Sequence, residues 1–244
     1  MKIFLLKIKL ETKENIKSNF YYSVLGSILN LFKNDEEVYK SILSISPLIK
    51  QEQNFLIKIS IFWEKNFNRI VNEILFWKKE LSLDWIVFRL LWIDFSFWIF
   101  DLEKIEYKNF ENILLDFKSP SFVKIKKNNK DINCYLPKAK KFFISAIKKY
   151  LKLSWEEFNN FWVFIEKIEN NFFISEFNIH TKKIKIKNWI KAWVVWTVKY
   201  KILQNNDFKK KELILINNSL KLANYIWIWN GTKLWLGQVM VKIF

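Results

Sequence analysis

Residues 225–239 read YIWIWNGTKLWLGQV and lie between a helix-like run and the strand-like end of the chain. Three tryptophans, Trp227, Trp229 and Trp235, stand around Asn230-Gly231, a dipeptide typical of turns. With glycine at each of these tryptophans the stretch would read YIGIGNGTKLGLGQV. Such a glycine-rich loop lets bare backbone approach phosphate groups. The stretch therefore predicts a glycine-rich-type loop, 226–238, between a helix and the closing strand.

Two residue counts depart from average usage in opposite directions. The 244-residue chain has 3 glycines and 13 tryptophans, whereas average usage would give roughly 17 glycines. Tryptophan also follows Asp84 and Asn188, where Asp-Gly or Asn-Gly would be an ordinary turn. We hypothesise that several tryptophans stand for glycine encoded by UGA in the source lineage. The alternative is a tryptophan-rich protein whose indoles stack on bases or fill the core.

The first part of the chain alternates between strand and helix periodicity. Strands are predicted at 2–10, 41–49, 54–62 and from 83 to 107, and helices at 18–40, with a break near Asn34-Asp35, and at 64–79. This β-α-β-β-α-β order is one ferredoxin-like unit.

The second part repeats that alternation. Pro137 is expected to open a helix that runs to about Leu151, and Ser154 to cap a further short helix. The other predicted elements are strands at 112–118, 172–179, 180–187, 190–203 and 238–244, and a helix at 207–225. The chain is therefore predicted to be α+β, with two tandem ferredoxin-like (RRM-like) domains, 1–109 and 110–244, packed side by side.

The charge of the chain indicates a polyanionic partner. The formal net charge is +17, and 39 of the 41 basic residues are lysine, because only Arg69 and Arg89 are arginines. A surface this positive attracts nucleic acid, although an A+T-rich genome would also inflate lysine. The single cysteine, Cys134, excludes a disulfide framework and a cysteine-based zinc site. The charged stretch 83–102 and the lysine-broken N-terminus predict no membrane span and no signal peptide, hence a cytoplasmic protein.

Four segments carry motifs of one known family, in the order in which that family has them. They are FKSPSF at 117–122, LP followed by FFISAI within 136–147, KAWVVWTVKY at 191–200, and the 225–239 stretch with glycine at its tryptophans. Together they resemble the CRISPR repeat-cleaving (pre-crRNA) endoribonucleases of the RAMP superfamily. The resemblance covers the second half well and reaches the first half only weakly, through ISPL at 45–48.

This resemblance implies a fold, a partner and a reaction. The family has two ferredoxin-like folds and a basic cleft for CRISPR repeat RNA, and it cuts precursor CRISPR RNA without metal or cofactor. The ribose 2′-hydroxyl attacks the adjacent phosphate, leaving a 2′,3′-cyclic phosphate and a 5′-hydroxyl. The partners that the resemblance implies are repeat RNA and effector-complex subunits. The protein itself is expected to be a monomer or a homodimer.

The sequence departs from the family at the catalytic histidine. Most members have one in or after the first helix, whereas the only histidine here is His180. The reaction needs a base, an acid and a cation, and Tyr22 with Lys33 could support a slower, histidine-free cleavage. The candidate catalytic residues are Tyr22, Lys33, Tyr39, Lys40 and His180. The candidate RNA-binding residues are Lys182, Lys183, Lys185, Trp227, Trp229, Gly231, Thr232, Lys233, Trp235 and Gly237.

Three readings remain open at this stage. The leading one is a repeat-cleaving endoribonuclease. A catalytically silent RAMP protein that holds CRISPR RNA would account for the missing early histidine. A general single-strand RNA binder is the third, because ferredoxin-like sheets also serve that role. The candidate catalytic residues could also have purely structural roles. The tyrosines of the first helix would then be half-buried helix residues, and His180 would be a surface or packed residue.

Overall fold

The computed structural model of the chain describes residues 2–14, 16, 28, 32, 34–46, 49–52, 54–76, 80–83, 86–101, 110–117, 123–127, 130–134, 138–186, 189–203, 207–226 and 239–244. The chain divides into two compact units. The first holds Met1–Asp101 with Lys183–Lys191, and the second holds Leu102–Lys182 with Ala192–Phe244.

The first unit is one sheet with helices against it. Its elements are β1 (Lys2–Glu11), α1 (Glu36–Ser41), β2 (Ile42–Ile45), β3 (Ile49–Gln51), β4 (Asn54–Phe62), α2 (Glu64–Phe76), β5 (Glu80–Leu83) and β6 (Ile86–Asp101). The sheet order is β2-β4-β1-β6-β5, with β3 beside β4. Neighbouring strands run antiparallel, and β1 lies in the middle. This is the ferredoxin-like arrangement, because the first strand is flanked by the third and the last of the βαββαβ unit.

Alternation along β1 sets the core of this unit. Every second residue from Phe4 to Leu10 is buried, as period two requires when one sheet face meets the core. Helix α2 packs against β1 and β4, and the rings of Phe4 and Phe67 stack at 4.9 Å between centroids. The helix therefore covers the apolar face of β1, and the opposite face carries Lys7 and Lys9.

The second unit repeats the plan with an inserted strand pair. Its elements are β7 (Asn112–Phe117), β8 (Val123–Lys127), β9 (Lys130–Cys134), α3 (Ala139–Ser154), α4 (Phe161–Asn171), β10 (Phe172–Ile186), β11 (Trp189–Ile202), α5 (Lys210–Ala223) and β12 (Val239–Ile243). The last residues of β10 and the first residues of β11 belong to the segment Lys183–Lys191, which groups with the first unit. The order β10-β11-β7-β12 again places the first strand between the third and the last. The predicted α+β class with tandem ferredoxin-like folds is thereby confirmed.

Three helices form the layer of the second unit, with α3 packed against both α4 and α5. Phe142, Phe143 and Ile147 of α3 are fully buried, as are Ile216 and Leu220 of α5. The two helices are also joined by a polar contact, described below. Phe143 and Ile147 are four positions apart, and so are Ile216 and Leu220, which is the spacing of a helical stripe.

Some local predictions were wrong. Ser154 does not cap a new helix: it is the last residue of α3, and α4 follows Asn160 instead. The predicted strands 172–179 and 180–187 are one continuous strand, β10, so His180 lies inside a strand. The predicted strand at 41–49 is divided into β2 and β3. Helix α3 begins at Ala139, and Pro137 lies outside the described residues.

Candidate nucleic-acid interface

The face of the first sheet opposite α2 carries lysines from two neighbouring strands. In β1 the residues that alternate with the buried ones are Leu5, Lys7, Lys9 and Glu11, and all four are partly accessible. Lys58 of β4 pairs directly with Lys7 in the register and is exposed. Because directly opposed residues of an antiparallel pair point to the same side, the three lysines share one face. We call Lys7, Lys9 and Lys58 the lysine face.

The backbone of this face is held firmly at Lys58. The Lys58 N–H donates to the hydroxyl of Ser46 at 2.8 Å, and the Ser46 N–H donates to the Lys58 carbonyl at 2.7 Å. Ser46 is buried, so this two-way contact fixes the strand where the lysine emerges. The backbone position of Lys58 is therefore fixed by β4 and by Ser46, which directly follows β2.

Two carboxylates lie on the same face. The Lys7 Nζ lies 3.0 Å from Asp94 Oδ2, and both side chains are partly exposed. Glu11 lies opposite Arg89 in the register, with 3.4 Å between their charged groups. Lys9 lies opposite Trp92, its Nζ 6.0 Å from the centre of an indole ring.

The charge of this face favours an anion. Lys7 and Lys58 are like charges directly opposed across two strands, an arrangement that destabilises a sheet. Asp94 compensates one of them, and Lys9 adds a third positive charge nearby. A phosphate group that approached these ammonium groups would relieve the repulsion. The three lysines are accessible on this face, and their charge is suited to binding a polyanion.

Around Lys40, one of the two predicted catalytic lysines, positive and negative charges are paired. Lys40 is an exposed residue of α1, and its Nζ lies 2.6 Å from Glu36 Oε1. The hydrogen bond and the positive charge of Lys40 lower the pKa of Glu36. Asp35, whose carboxylate also accepts from the Val38 N–H, is paired with Arg69. Each of these acidic side chains thus has a cation beside it, and Lys40 already has a carboxylate partner.

The predicted residues of the second half lie on β10. His180 is exposed there, and so is its neighbour Thr181. Lys182, Lys183 and Lys185 continue the same strand, and only their backbone is described. The strand places these four basic residues along one edge of the four-stranded sheet.

The remaining predicted residues cannot be placed. Tyr39 has its backbone in α1, but its side chain is not described. The others lie outside the described residues: Tyr22, Lys33, Trp227, Trp229, Gly231, Thr232, Lys233, Trp235 and Gly237.

Sequence reasoning missed the lysine face. The signal was present in the alternation of Lys7 and Lys9 with apolar residues in 2–10, but that pattern was used to predict a strand and to argue against a signal peptide, and not to predict a binding face. Lys58 carried no comparable signal, because its partnership with Lys7 depends on strand register.

In the described part of the chain, histidine, cysteine and carboxylate side chains form no group of three that could hold a metal ion. Among the helices whose residues are described, none is long and apolar enough to cross a membrane.

The geometry defines a tandem ferredoxin-like protein with a basic sheet face, and solved structures share this fold over nearly the full chain. A Cas6 product complex matches with a TM-score of 0.77 at 12% identity, covering 98% of this chain and 100% of the other. A RAMP protein described as binding different RNA substrates matches with a TM-score of 0.60 at 14% identity, covering 99% of each chain. The product of a Cas6-related gene from Pyrococcus furiosus gives 0.61 at 15%, covering 99% of this chain and 98% of the other.

This protein therefore has the fold of the Cas6 and RAMP structures, which confirms the predicted resemblance at the level of the fold. No family model matches the sequence. No curated protein matches it either.

Proposed function

We propose that this protein binds CRISPR repeat RNA and cleaves precursor CRISPR RNA. The observation that carries the proposal is the fold match to a Cas6 product complex over 98% of the chain. The lysine face adds support, since it places three lysines, one of them paired with Asp94, on one face of a sheet. The motifs at 117–122, 136–147 and 191–200 agree with the same assignment.

The proposed chemistry is metal-independent. The 2′-hydroxyl at the cut loses its proton to a base and attacks the adjacent phosphorus, and the 5′ oxygen leaves with a proton from an acid. The products are a 2′,3′-cyclic phosphate and a 5′-hydroxyl. A lysine would stabilise the crowded phosphate. We assign these roles to the group Tyr22, Lys33, Tyr39, Lys40 and His180. Lys40 would have to leave Glu36 to take part.

RNA contacts are proposed at two places besides the lysine face. One is the basic end of β10 with Lys182, Lys183 and Lys185, and the other is the loop that holds Gly231, Thr232, Lys233 and Gly237. Trp227, Trp229 and Trp235 belong to the same loop.

The decisive experiment incubates the purified protein with end-labelled repeat RNA in EDTA. One cut that leaves a cyclic phosphate supports the proposed endoribonuclease. Binding that is selective for the repeat without a cut supports a silent RAMP protein. That second function is favoured by one observation, the absence of any histidine before His180. Binding that is indifferent to the repeat sequence overturns both in favour of a general single-strand RNA binder.

The lysine face is tested by a matched pair of triple variants. Replacing Lys7, Lys9 and Lys58 by Gln should weaken RNA binding and reduce the slope of log K against log salt by about 2, at roughly 0.7 for each phosphate contact of a single strand. The control replaces Lys152, Lys201 and Lys242, three exposed lysines of the second unit, and removes the same charge. Equal losses in both variants would show that only net charge matters.

A further inference from the structure

Two tryptophans have a backbone conformation that normally belongs to glycine. Among the described residues, the non-glycine residues with positive φ are Glu52, Trp63, Trp155 and Asn160. Asparagine tolerates the left-handed region because its short side chain bonds locally. A bulky residue there is a genuine outlier. Two of the four are nevertheless tryptophan, which makes up only 13 of 244 residues.

Trp155 occupies the position that ends α3. Its φ and ψ are 58° and 26°, and its N–H donates to the Leu151 carbonyl. The Glu156 N–H also donates to that carbonyl, at 3.2 Å. This is the left-handed helix end at which glycine is the usual residue. The indole makes little use of the position, because 79% of Trp155 is exposed.

Trp63 also has a positive φ, but it lies at the start of a helix. It follows β4 directly and precedes α2, with a φ of 72°. Its carbonyl accepts from the Phe67 N–H at 3.1 Å, which is the first helical hydrogen bond. The chain must turn sharply here from strand into helix, and a residue without Cβ makes that turn without steric cost.

At Trp196 the unusual feature is the close packing of the side chain and not the backbone conformation. Trp196 is fully buried in β11, and its ring centroid lies 3.8 Å from that of Phe117 with the rings tilted by 37°. Tilted aromatic pairs normally keep their centroids 4.5–7 Å apart. Phe142 and Phe177 contribute further rings around the same pair, Phe142 against Phe117 and Phe177 against Trp196. The Trp196 ring is therefore packed more closely than aromatic pairs normally are.

We infer that residues 63, 155 and 196 are glycine in the protein made by its source organism, and that each is encoded by a UGA codon that the organism reads as glycine. A single decoding difference explains three independent misfits: a helix end, a helix start and a closely packed core position. It also explains why 3 glycines stand beside 13 tryptophans. The assignment is independent of whether the protein cuts RNA.

The direct test is chemical. The three codons are read from the gene, and the protein from source cells is digested and its peptides weighed. UGA codons with peptide masses of glycine at 63, 155 and 196 support the inference. UGG codons, or peptide masses of tryptophan, overturn it.

The structural part is tested with variants of the expressed chain. Trp155→Gly should raise the melting temperature by about 2–4 °C, as expected when roughly 1 kcal/mol of strain is relieved in a domain of this size. Trp63→Gly should raise it less, because that ring also touches Phe62. The control is Trp162→Gly, the same change inside α4, which should lower or leave unchanged the melting temperature. Equal or lower melting temperatures for both Trp63→Gly and Trp155→Gly overturn the assignment of these positions.

Discussion

The ammonium group of Lys7 on β1 lies 3.0 Å from the carboxylate of Asp94 on β6. On the other side of β1, Lys7 is directly opposed to Lys58. One acidic side chain thus compensates one of two adjacent cations in the middle of the lysine face. An anionic ligand that binds there competes with Asp94 for Lys7.

Asp94→Asn should therefore tighten RNA binding. The substitution frees Lys7 and removes a negative charge from the face, so we expect an affinity for repeat RNA about two- to fivefold higher at low salt. Fluorescence anisotropy with a labelled repeat measures it. The matched control is Glu169→Gln, which releases Lys140 in the second unit from a 2.6 Å ion pair. An equal gain from the control would assign the effect to net charge.

Glycine in the predicted 226–238 loop should raise the affinity of the protein for RNA. Replacing Trp227, Trp229 and Trp235 together by Gly should tighten RNA binding by about tenfold or more, because backbone N–H groups that reach phosphate form charge-assisted bonds. The comparison is Trp162→Gly, an exposed residue of α4. If the loop variant bound RNA no better than the parent chain, the loop would have no such backbone contact with RNA.

Lys149 should make the free energy of unfolding depend on pH in the alkaline range. Burial lowers its pKa to about 8 from the ordinary 10.5, so between these values the unfolded chain holds more protons than the folded one. Stability contributed by this residue therefore rises as pH rises from about 8 to 10.5. Lys149→Met should be more stable by about 2–3 kcal/mol at pH 7 and should lack that rise.

Urea unfolding at pH 7 and at pH 10 measures this difference. Lys152→Met is the control, since Lys152 is an exposed lysine of the same helix, α3. The prediction is wrong if both variants follow the pH profile of the parent protein.

The buried polar contact between α3 and α5 should behave as a coupled pair. The Asn218 side-chain amide donates to the Tyr150 hydroxyl at 3.1 Å, and burial raises the pKa of Tyr150. Tyr150→Phe leaves a buried amide without this acceptor and should cost about 1–3 kcal/mol of unfolding free energy. The double variant Tyr150→Phe/Asn218→Leu should recover part of that loss. Additive losses in urea unfolding would mean that the two groups are not coupled.

Much of the fold was predictable because strand and helix periodicities are local. The alternation in 2–10 predicts β1 almost to the residue, and the stripe in 64–79 predicts α2. Asp35 was expected near a helix break, and it is the residue that caps α1. The prediction at Ser154 was wrong because the backbone at Trp155 ends α3 one residue later, which no helix signal indicates.

The candidate site was less predictable. His180 was expected at the junction of two strands, 172–179 and 180–187, but one continuous strand, β10, runs through it. Polar residues are tolerated there because β10 lies at the edge of the sheet and is exposed around His180.

The sequence by itself determined the order of strands and helices, the excess of positive charge and the excess of tryptophan over glycine, since each depends on neighbours in the chain or on composition. Only the tertiary structure decided that Lys58 stands opposite Lys7 and that Asp94 meets the same lysine. Only it showed that Trp63 and Trp155 lie in left-handed backbone and that Trp196 packs unusually closely against Phe117. Strand register and ring packing bring together residues that are far apart in the sequence. No short stretch of sequence therefore predicts these contacts.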